Sequence, residues 1–486
     1  MPPEAITNPT NDVKTHDLPT YTIGELQAKH NHPKTAYTAI HGRVYDISSF
    51  ASVHPGGSSL ILLASGRDAT VLYETYHPVP PSPKILSKLL VGTLVDSPPS
   101  AYAFSDDPSS FYNTLKSRVV SRLKERGLAR RGGSGVIYLK AMAIITAFWG
   151  GLLYGSLVAA KGWGAVLSFL VMGYSASLIG TCIQVRTLPI CCKIVSTLSH
   201  SNHFFSQHDG SHGAFSSSPR LNLLAGWTMD MIGASAFTWE IQHMLGHHPF
   251  TNNLEEDQGG ESDPDVFSSY PFLRFHSDQA HTPMNTYQHH YFPFLFASMT
   301  LAKVFLQDIQ VFWEGKLYHI DAGCRYSDPK NVTRFVVMKI VSMAYMLFLP
   351  IYGHGLLFGS FLFVLGHLFC GELLAVMFIV NHVIEGAEFT GGKKNNGDND
   401  WATIQCRTSV NWSPGSNLAN HASGGLNHQV EHHLFPSICH TNYPVICDIV
   451  KATCAEFGVE YKSVGSFASA VGLMRGHLKK MGTNQQ

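Results

Sequence analysis

Apolar residues along the chain gather into two pairs of long runs. VIYLKAMAIITAFWGGLLYGSLVAA (136–160) carries one lysine near its start, and GWGAVLSFLVMGYSASLIGTCI (162–183) carries no charge. FVVMKIVSMAYMLFLPIY (335–352) and GLLFGSFLFVLGHLFCGELLAVMFIVNH (355–382) form the second pair. A helix needs about 20 apolar residues to cross a bilayer core, so the pattern predicts two membrane hairpins. The segment from Tyr291 to Trp313 is also apolar, but Lys303 and Asp308 interrupt it. It is expected to lie in the interface or against the bundle.

The remainder is polar. Residues 1–17 read as a disordered tail, 18–96 as a small soluble α+β module, and 476–486 as a second tail. Residues 97–135 pass from the linker DSPPSAYAFSDDPSS into a basic stretch with Lys116, Arg118, Arg122, Lys124, Arg126, Arg130 and Arg131. Two hairpins place both ends and the long middle region on one side, and the basic stretch makes that side cytosolic. The N-terminus lacks the apolar core of a secretory signal, so insertion is expected from internal segments.

Composition supports this division. Charged residues are 14% of the chain, against roughly 25% in soluble domains. Net charge is zero, which gives no electrostatic footprint for nucleic acid. The nine cysteines include no CxxC pair and are expected to stay reduced. Histidines number 27 against 34 acidic residues. Imidazole is the commonest metal ligand and acid–base group, so the excess asks where the histidines fall.

Two of them stand out in the soluble module. VYDISSFASVHPGGSSLILLASGRDATVLYETYHP holds His54 in HPGG and His77 in YHP. Histidines on short helices separated by a loop can approach one iron from opposite faces, leaving no open position, which suits electron transfer. Gly56 and Gly57 permit the turn after His54–Pro55. On spacing alone HPGG also reads as a plain turn. The whole of 18–96 resembles a cytochrome b5 domain, and the resemblance implies haem b with His54 and His77 as axial ligands, beside Pro55, Gly56 and Gly57.

Three further groups lie outside the apolar runs. QHDGSHGAF carries His208 and His212, IQHMLGHHPFTN carries His243, His247 and His248, and NHQVEHHLFPSICH carries Gln429, His432 and His433. Spacings of three to five residues put each set on one helix face. Their shared side predicts one metal centre, and His382, ending the last apolar run, can enter it. So many imidazoles exceed one structural zinc site, and an electron-carrying module on the same chain favours iron. The acidic run EEDQGGESDPD (255–265) is expected to be a solvated loop. His428 is expected to point off the ligand face.

In this order, after a cytochrome b5 module, the groups resemble the HxxxH, HxxxHH and QxxHH boxes of the front-end fatty acyl desaturases, a membrane di-iron family. The likeness runs from about residue 35 to 475. It implies an α+β haem domain followed by an all-α, four-helix integral membrane desaturase domain (136–475) with a cytosolic di-iron cap. It further implies that His208, His212, His243, His247, His248, His432 and His433 are iron ligands, with His382 and Gln429 contributing. Asp209 and Glu431 adjoin ligands and are candidates to support them. GWTMDMIGASAFTWEIQHMLGHHPFTN, ESDPDVFSSYP and CRYSDPKNVTRF most resemble delta-4 desaturases of C22 polyunsaturated chains. The implied reaction uses O2 and electrons from NADH through cytochrome b5 reductase, on an acyl-lipid or acyl-CoA substrate in the endoplasmic reticulum membrane. Delta-5 action on C20 chains, a haem-fused sphingolipid desaturase, and a haem-only protein with a dead iron site are the alternatives.

One stretch departs from that family. GTCIQ should run directly into HDGSHGAF, but VRTLPICCKIVSTLSHSNHFFSQ (185–207) intervenes. Val-Arg can be encoded as a splice donor and Phe-Phe-Ser-Gln as an acceptor, so the stretch reads as a translated, retained intron. The ligands then recover only if the helix restarts near Gln207.

Overall fold

The computed structural model describes residues 18–96, 102–132, 135–181, 207–254, 262–318, 320–323, 326, 328–391 and 400–483. The suspected insert therefore lies outside the described residues apart from Gln207, as does the tail 1–17. In the N-terminal module, β1 (Thr20–Tyr21), β2 (Tyr37–Ile40), β3 (Arg43–Asp46) and β4 (Leu90–Leu94) form one sheet in the order β1-β4-β3-β2. α1 (Ile23–Lys29) starts at a capping box, in which Thr22 and Glu25 satisfy each other's backbone donors. The short helix α2 (Ser58–Ile61) follows the HPGG turn, and α3 (Thr70–Tyr76) ends at its C-cap, His77.

α5 (Phe111–Glu125), which follows α4 (Pro83–Leu89), buries Tyr112, Leu115, Val119 and Leu123. That stripe, at spacings of three and four, fits the amphipathic period. It packs on Trp401, Tyr443, Ile446 and Val450 from the C-terminal region. The basic residues on the other face of α5 tie down the same region, Arg118 to Glu456 and Arg122 to Asp448.

Among the described residues, five helices are long and apolar enough to cross a membrane, where the sequence pattern counted four. α6 (Gly135–Leu157) and α7 (Trp163–Thr181) form one hairpin. Pro329–His354 and Leu356–Ile379 form another, turning at Gly355. Their turns meet: His354 Nε2 lies 2.6 Å from the Gly155 carbonyl, and a Cβ on Gly353 would overlap Ser156. The fifth helix, Pro283–Glu314, is the run broken by Lys303 and Asp308. Both its ends meet the polar cap instead. Gln288 donates to the Leu478 carbonyl at 2.7 Å, and beyond Glu314 the hairpin Lys316–Leu317/Ile320–Asp321 receives Arg67 and Asn31 of the N-terminal module on Asp321. Lys303 and Asp308 within it are buried and partnered, Lys303 by Gln242 at 3.0 Å and Asp308 by Lys339 at 2.6 Å.

Two boundaries also differ from the sequence reading. The helix expected from 335 begins at Pro329, where the Asp328 side chain caps the Lys330 amide. The last apolar helix ends at Ile379, so His382 sits in the turn after it.

Candidate metal centre

In the N-terminal module the His54 and His77 ring centroids stand 6.2 Å apart. Two metal–nitrogen bonds of about 2 Å plus the half-widths of two rings give that separation, so one ion fits between them. Each Nδ1 is engaged by a backbone carbonyl, His54 by Gly57 at 3.2 Å and His77 by Tyr73 at 3.0 Å. That leaves both Nε2 lone pairs for the metal. Gly56 is required here, since a Cβ would stand 2.7 Å from the His54 ring, and Gly57 adopts φ +93°. Burial lowers the His54 pKa and takes His77 to about 4, so both rings are neutral ligands at physiological pH. Arg131 donates to the Pro55 carbonyl at 3.2 Å. Neither Arg130 nor Arg131 has a carboxylate partner among the described residues, and burial lowers Arg130 to about 10.

The three sequence boxes converge in the cap. His208 lies on the short helix Gln207–Ser211, and His212 follows its last residue. His243 and His247 lie on a π-helical turn, Ile241–His247, with His248 following. Its i→i+5 ladder lets residues four and five apart share a face, which the three histidines need. Gln429, His432 and His433 come from Gln429–Leu434. Ligand atoms of His208, His212, His243 and His432 lie within 4.8 Å of one another, and so do those of His247, His382 and His433. His248 sits between the groups, its ring 4.6 Å from both His212 and His432 and 4.4 Å from His433. The Gln429 amide completes the second group, 2.9 Å from His382 Nε2 and 3.0 Å from His433 Nε2.

These side chains are buried, and several imidazole nitrogens have no hydrogen-bond partner, among them both of His208 and the Nε2 atoms of His212 and His432. An unpaired buried polar atom costs about 1–3 kcal/mol, so this concentration fits metal ligation. Burial also holds His208 down to about 4, and His212, His243, His248, His432 and His433 well below the usual histidine range. Neutral rings offer lone pairs. His247 is the exception: burial opposes its charge, but Asp263 and Asp265 lift it to about 9.

An outer layer orients the rings. Asp263 accepts from His247 Nδ1 at 3.0 Å, and the Thr408 carbonyl lies 3.1 Å from His382 Nδ1. Gln405 Oε1 and Thr251 Oγ1 lie 2.9 and 3.0 Å from His433 Nδ1. Tyr443 lies 3.1 Å from His432 Nδ1, and Tyr76 of the N-terminal module 2.6 Å from His212 Nδ1.

Three sequence expectations need correction. The acidic run is not wholly solvated: Asp263 is 1% exposed and supports His247, although 255–261 lie outside the described residues. Asp209 does not support its neighbour His208; its carboxylate meets His440 Nδ1 at 2.5 Å and stands 4.0 Å from His208 Nδ1. Glu431 likewise meets Asn411 and Tyr461, not a ligand ring. Adjacent helical residues point about 100° apart, so a side chain next to a ligand faces away from it. Burial lifts Glu431 to about 7, against the hydrogen bonds from Asn411 and Tyr461. His428 turns off the ligand face as expected, onto the Pro414 carbonyl at 2.6 Å.

A module with two opposed histidines, joined to apolar helices under a buried polyhistidine cap, defines a membrane oxidoreductase with its own electron carrier. Comparison with known proteins agrees. The family model "Fatty acid desaturase" matches residues 186–465, and "Cytochrome b5-like Heme/Steroid binding domain" matches residues 22–95. An acyl-lipid (8-3)-desaturase of Physcomitrium patens is 32% identical over 484 residues, covering 96% of this chain and 92% of the relative. Delta(5) fatty acid desaturase A of Dictyostelium discoideum is 31% identical, covering 96% and 94%. An acyl-lipid (8-3)-desaturase of Mortierella alpina is 30% identical, covering 95% and 97%. The chain belongs to the fatty acid desaturase family, in its front-end branch with a fused cytochrome b5 domain.

Proposed function

We propose that this chain is a delta-5-type front-end desaturase of C20 polyunsaturated acyl lipids. The relatives' names support delta-5 ahead of the delta-4, C22 reading that the sequence motifs suggested. The observation that carries the catalytic part is the pair of buried imidazole groups sharing His248. His208, His212, His243 and His432 would hold one iron; His247, His382, His433 and Gln429 the other. Two such ions, recharged through a haem, supply O2 reduction and hydrogen abstraction from an unactivated C–H bond. The protein fixes the ligand rings through Asp263, Gln405, Thr408, Tyr443 and Tyr76 and keeps the cap dry. His54 and His77 would hold haem b, with Arg130 and Arg131 meeting its carboxylates.

On this reading the haem domain is 18–96, the linker 97–135 and the desaturase domain 136–475. The two hairpins cross the endoplasmic reticulum membrane, and helix 283–314 stays on the cap side with both termini in the cytosol. NADH-cytochrome b5 reductase recharges the haem. Fatty-acid profiles of yeast fed C20 and C22 precursors test the assignment. New unsaturation at carbon 5 of the C20 chain is expected; a product only from C22 chains, at carbon 4, restores the other reading, and no new double bond refutes both.

A further inference from the structure

Tyr76 ends α3 and is the chain neighbour of His77. Its phenol oxygen lies 2.6 Å from His212 Nδ1, with the two rings nearly parallel at 22°. His212 Nε2 is buried and unpartnered, so the proton belongs on Nδ1, which donates to the phenol, and Nε2 keeps its lone pair for metal. The surroundings are dry: Leu60, Leu72 and Tyr76 pack on Phe237, Ile241, Met244 and Leu245 of the cap. Among the described residues, no other side chain of the haem domain hydrogen-bonds a clustered histidine.

We propose that Tyr76 is the positioning residue that couples the haem domain to the non-haem centre. The Tyr76–His77 peptide link and one hydrogen bond then connect the residue of the His77 imidazole to the His212 imidazole. The inference rests on the di-iron reading above. With both groups bound, the one electron lost by the haem held by His54 and His77 would be gained by the iron centre that His212 helps to hold, and no bond or proton would change at Tyr76. Its oxygen holds the His212 tautomer and the register of α3 against the cap.

Tyr76→Phe in the full-length chain keeps the packing and removes the hydroxyl. After reduction with NADH and reductase, haem re-oxidation by substrate and O2 is followed in a stopped-flow spectrometer, beside the haem spectrum, haem potential and non-haem iron content. Re-oxidation should slow about tenfold or more, in the range of lost outer partners of metal ligands, while the other three readouts stay at wild-type values. Dithionite with a small mediator, which reduces the centre without the haem, should return single-turnover product to the wild-type yield. Re-oxidation indistinguishable from wild type, or a defect the mediator leaves in place, overturns the proposal. A wild-type chain without non-haem iron overturns the di-iron reading itself, and the iron assay reports that separately.

Discussion

In the group of His208, His212, His243 and His432, the rings of His212 and His432 rest on phenols, Tyr76 and Tyr443. In the group of His247, His382 and His433, each Nδ1 meets a stronger acceptor: the Asp263 carboxylate, the Thr408 carbonyl and the Gln405 amide oxygen. A carboxylate or carbonyl makes the metal-facing nitrogen more basic than a phenol does. The same side chain, repeated, thus builds one half-site tuned by negative charge and another tied to the haem domain. On the di-iron reading, the first half, with His208 and His212, would receive electrons from the haem domain, and the second, with His247, would hold its ion more tightly.

Removing one ligand from each half should have the largest effect. His432→Ala with His433→Ala is expected to eliminate non-haem iron and new unsaturation while the haem spectrum remains; metal analysis beside fatty-acid profiling checks it. Retained iron would dismantle the comparison at its base. Asp263→Asn comes next. It keeps the shape but removes the charge behind His247, and iron affinity of the second half should fall about 10–100-fold. Chelator titration should then strip the two ions together, where the wild type loses that of the first half earlier.

How far these halves were legible in the sequence depends on chain distance. His208, His212, His243, His247, His248, His432 and His433 announced themselves because ligands on one helix must recur every three to five residues. The haem loop did so through HPGG. His382 was legible only as an ionisable residue at the end of an apolar run. Tyr76, Gln405, Thr408 and Tyr443 carry no local pattern: each reaches its ring from a segment remote in sequence. Asp263 was hidden among acids that composition assigns to solvent, and Asp209 and Glu431 misled because sequence neighbours on a helix diverge. The start at Asp328-Pro329 was readable, since a capping aspartate before proline is a helix signal. The fifth long helix was identified as apolar, but its packing on the last apolar helix, Thr300 on His367 and Phe305 on Phe363, and the buried partners of Lys303 and Asp308 come from segments that no local pattern points to.

The dependence of the first half on the haem domain can be loosened without touching a ligand. Glu74 lies between Lys116 at 2.8 Å and His41 at 2.9 Å, linking the haem domain to α5. Burial opposes its charge, but the His41 hydrogen bond and the Lys116 charge hold the carboxyl at about 2, against an ordinary 4.5. Because the folded value is the lower one, the stabilisation is full above pH 4.5 and is lost as pH falls towards 2. Glu74→Gln should cost about 1–3 kcal/mol near neutrality. Melting followed by haem absorbance should show the variant and wild type converging in acid. Parallel curves across that window would remove the ion pair from the docking.

The smallest effect expected is also the sharpest on the difference between the halves, because only the first half stands directly behind the suspected insert. Gln207 is buried and donates to Ser211 at 3.2 Å in the helix that carries His208 and His212. Deleting 185–207 would bring Gln184 into that place, so the same amide can meet Ser211 and the ligand spacing is unchanged. Without 23 extra residues between the second apolar helix and its ligands, the ordering entropy of the join falls, and this entropy grows only slowly with length. Iron occupancy of the first half and desaturation should therefore rise, modestly, with the second half unaffected; equal iron content and turnover in both versions would count against the insert reading. A retained intron also requires that the dominant mature transcript lack these codons. Loss of iron on deletion, or a dominant transcript that keeps the codons, would instead make 185–207 a working part of the first half-site.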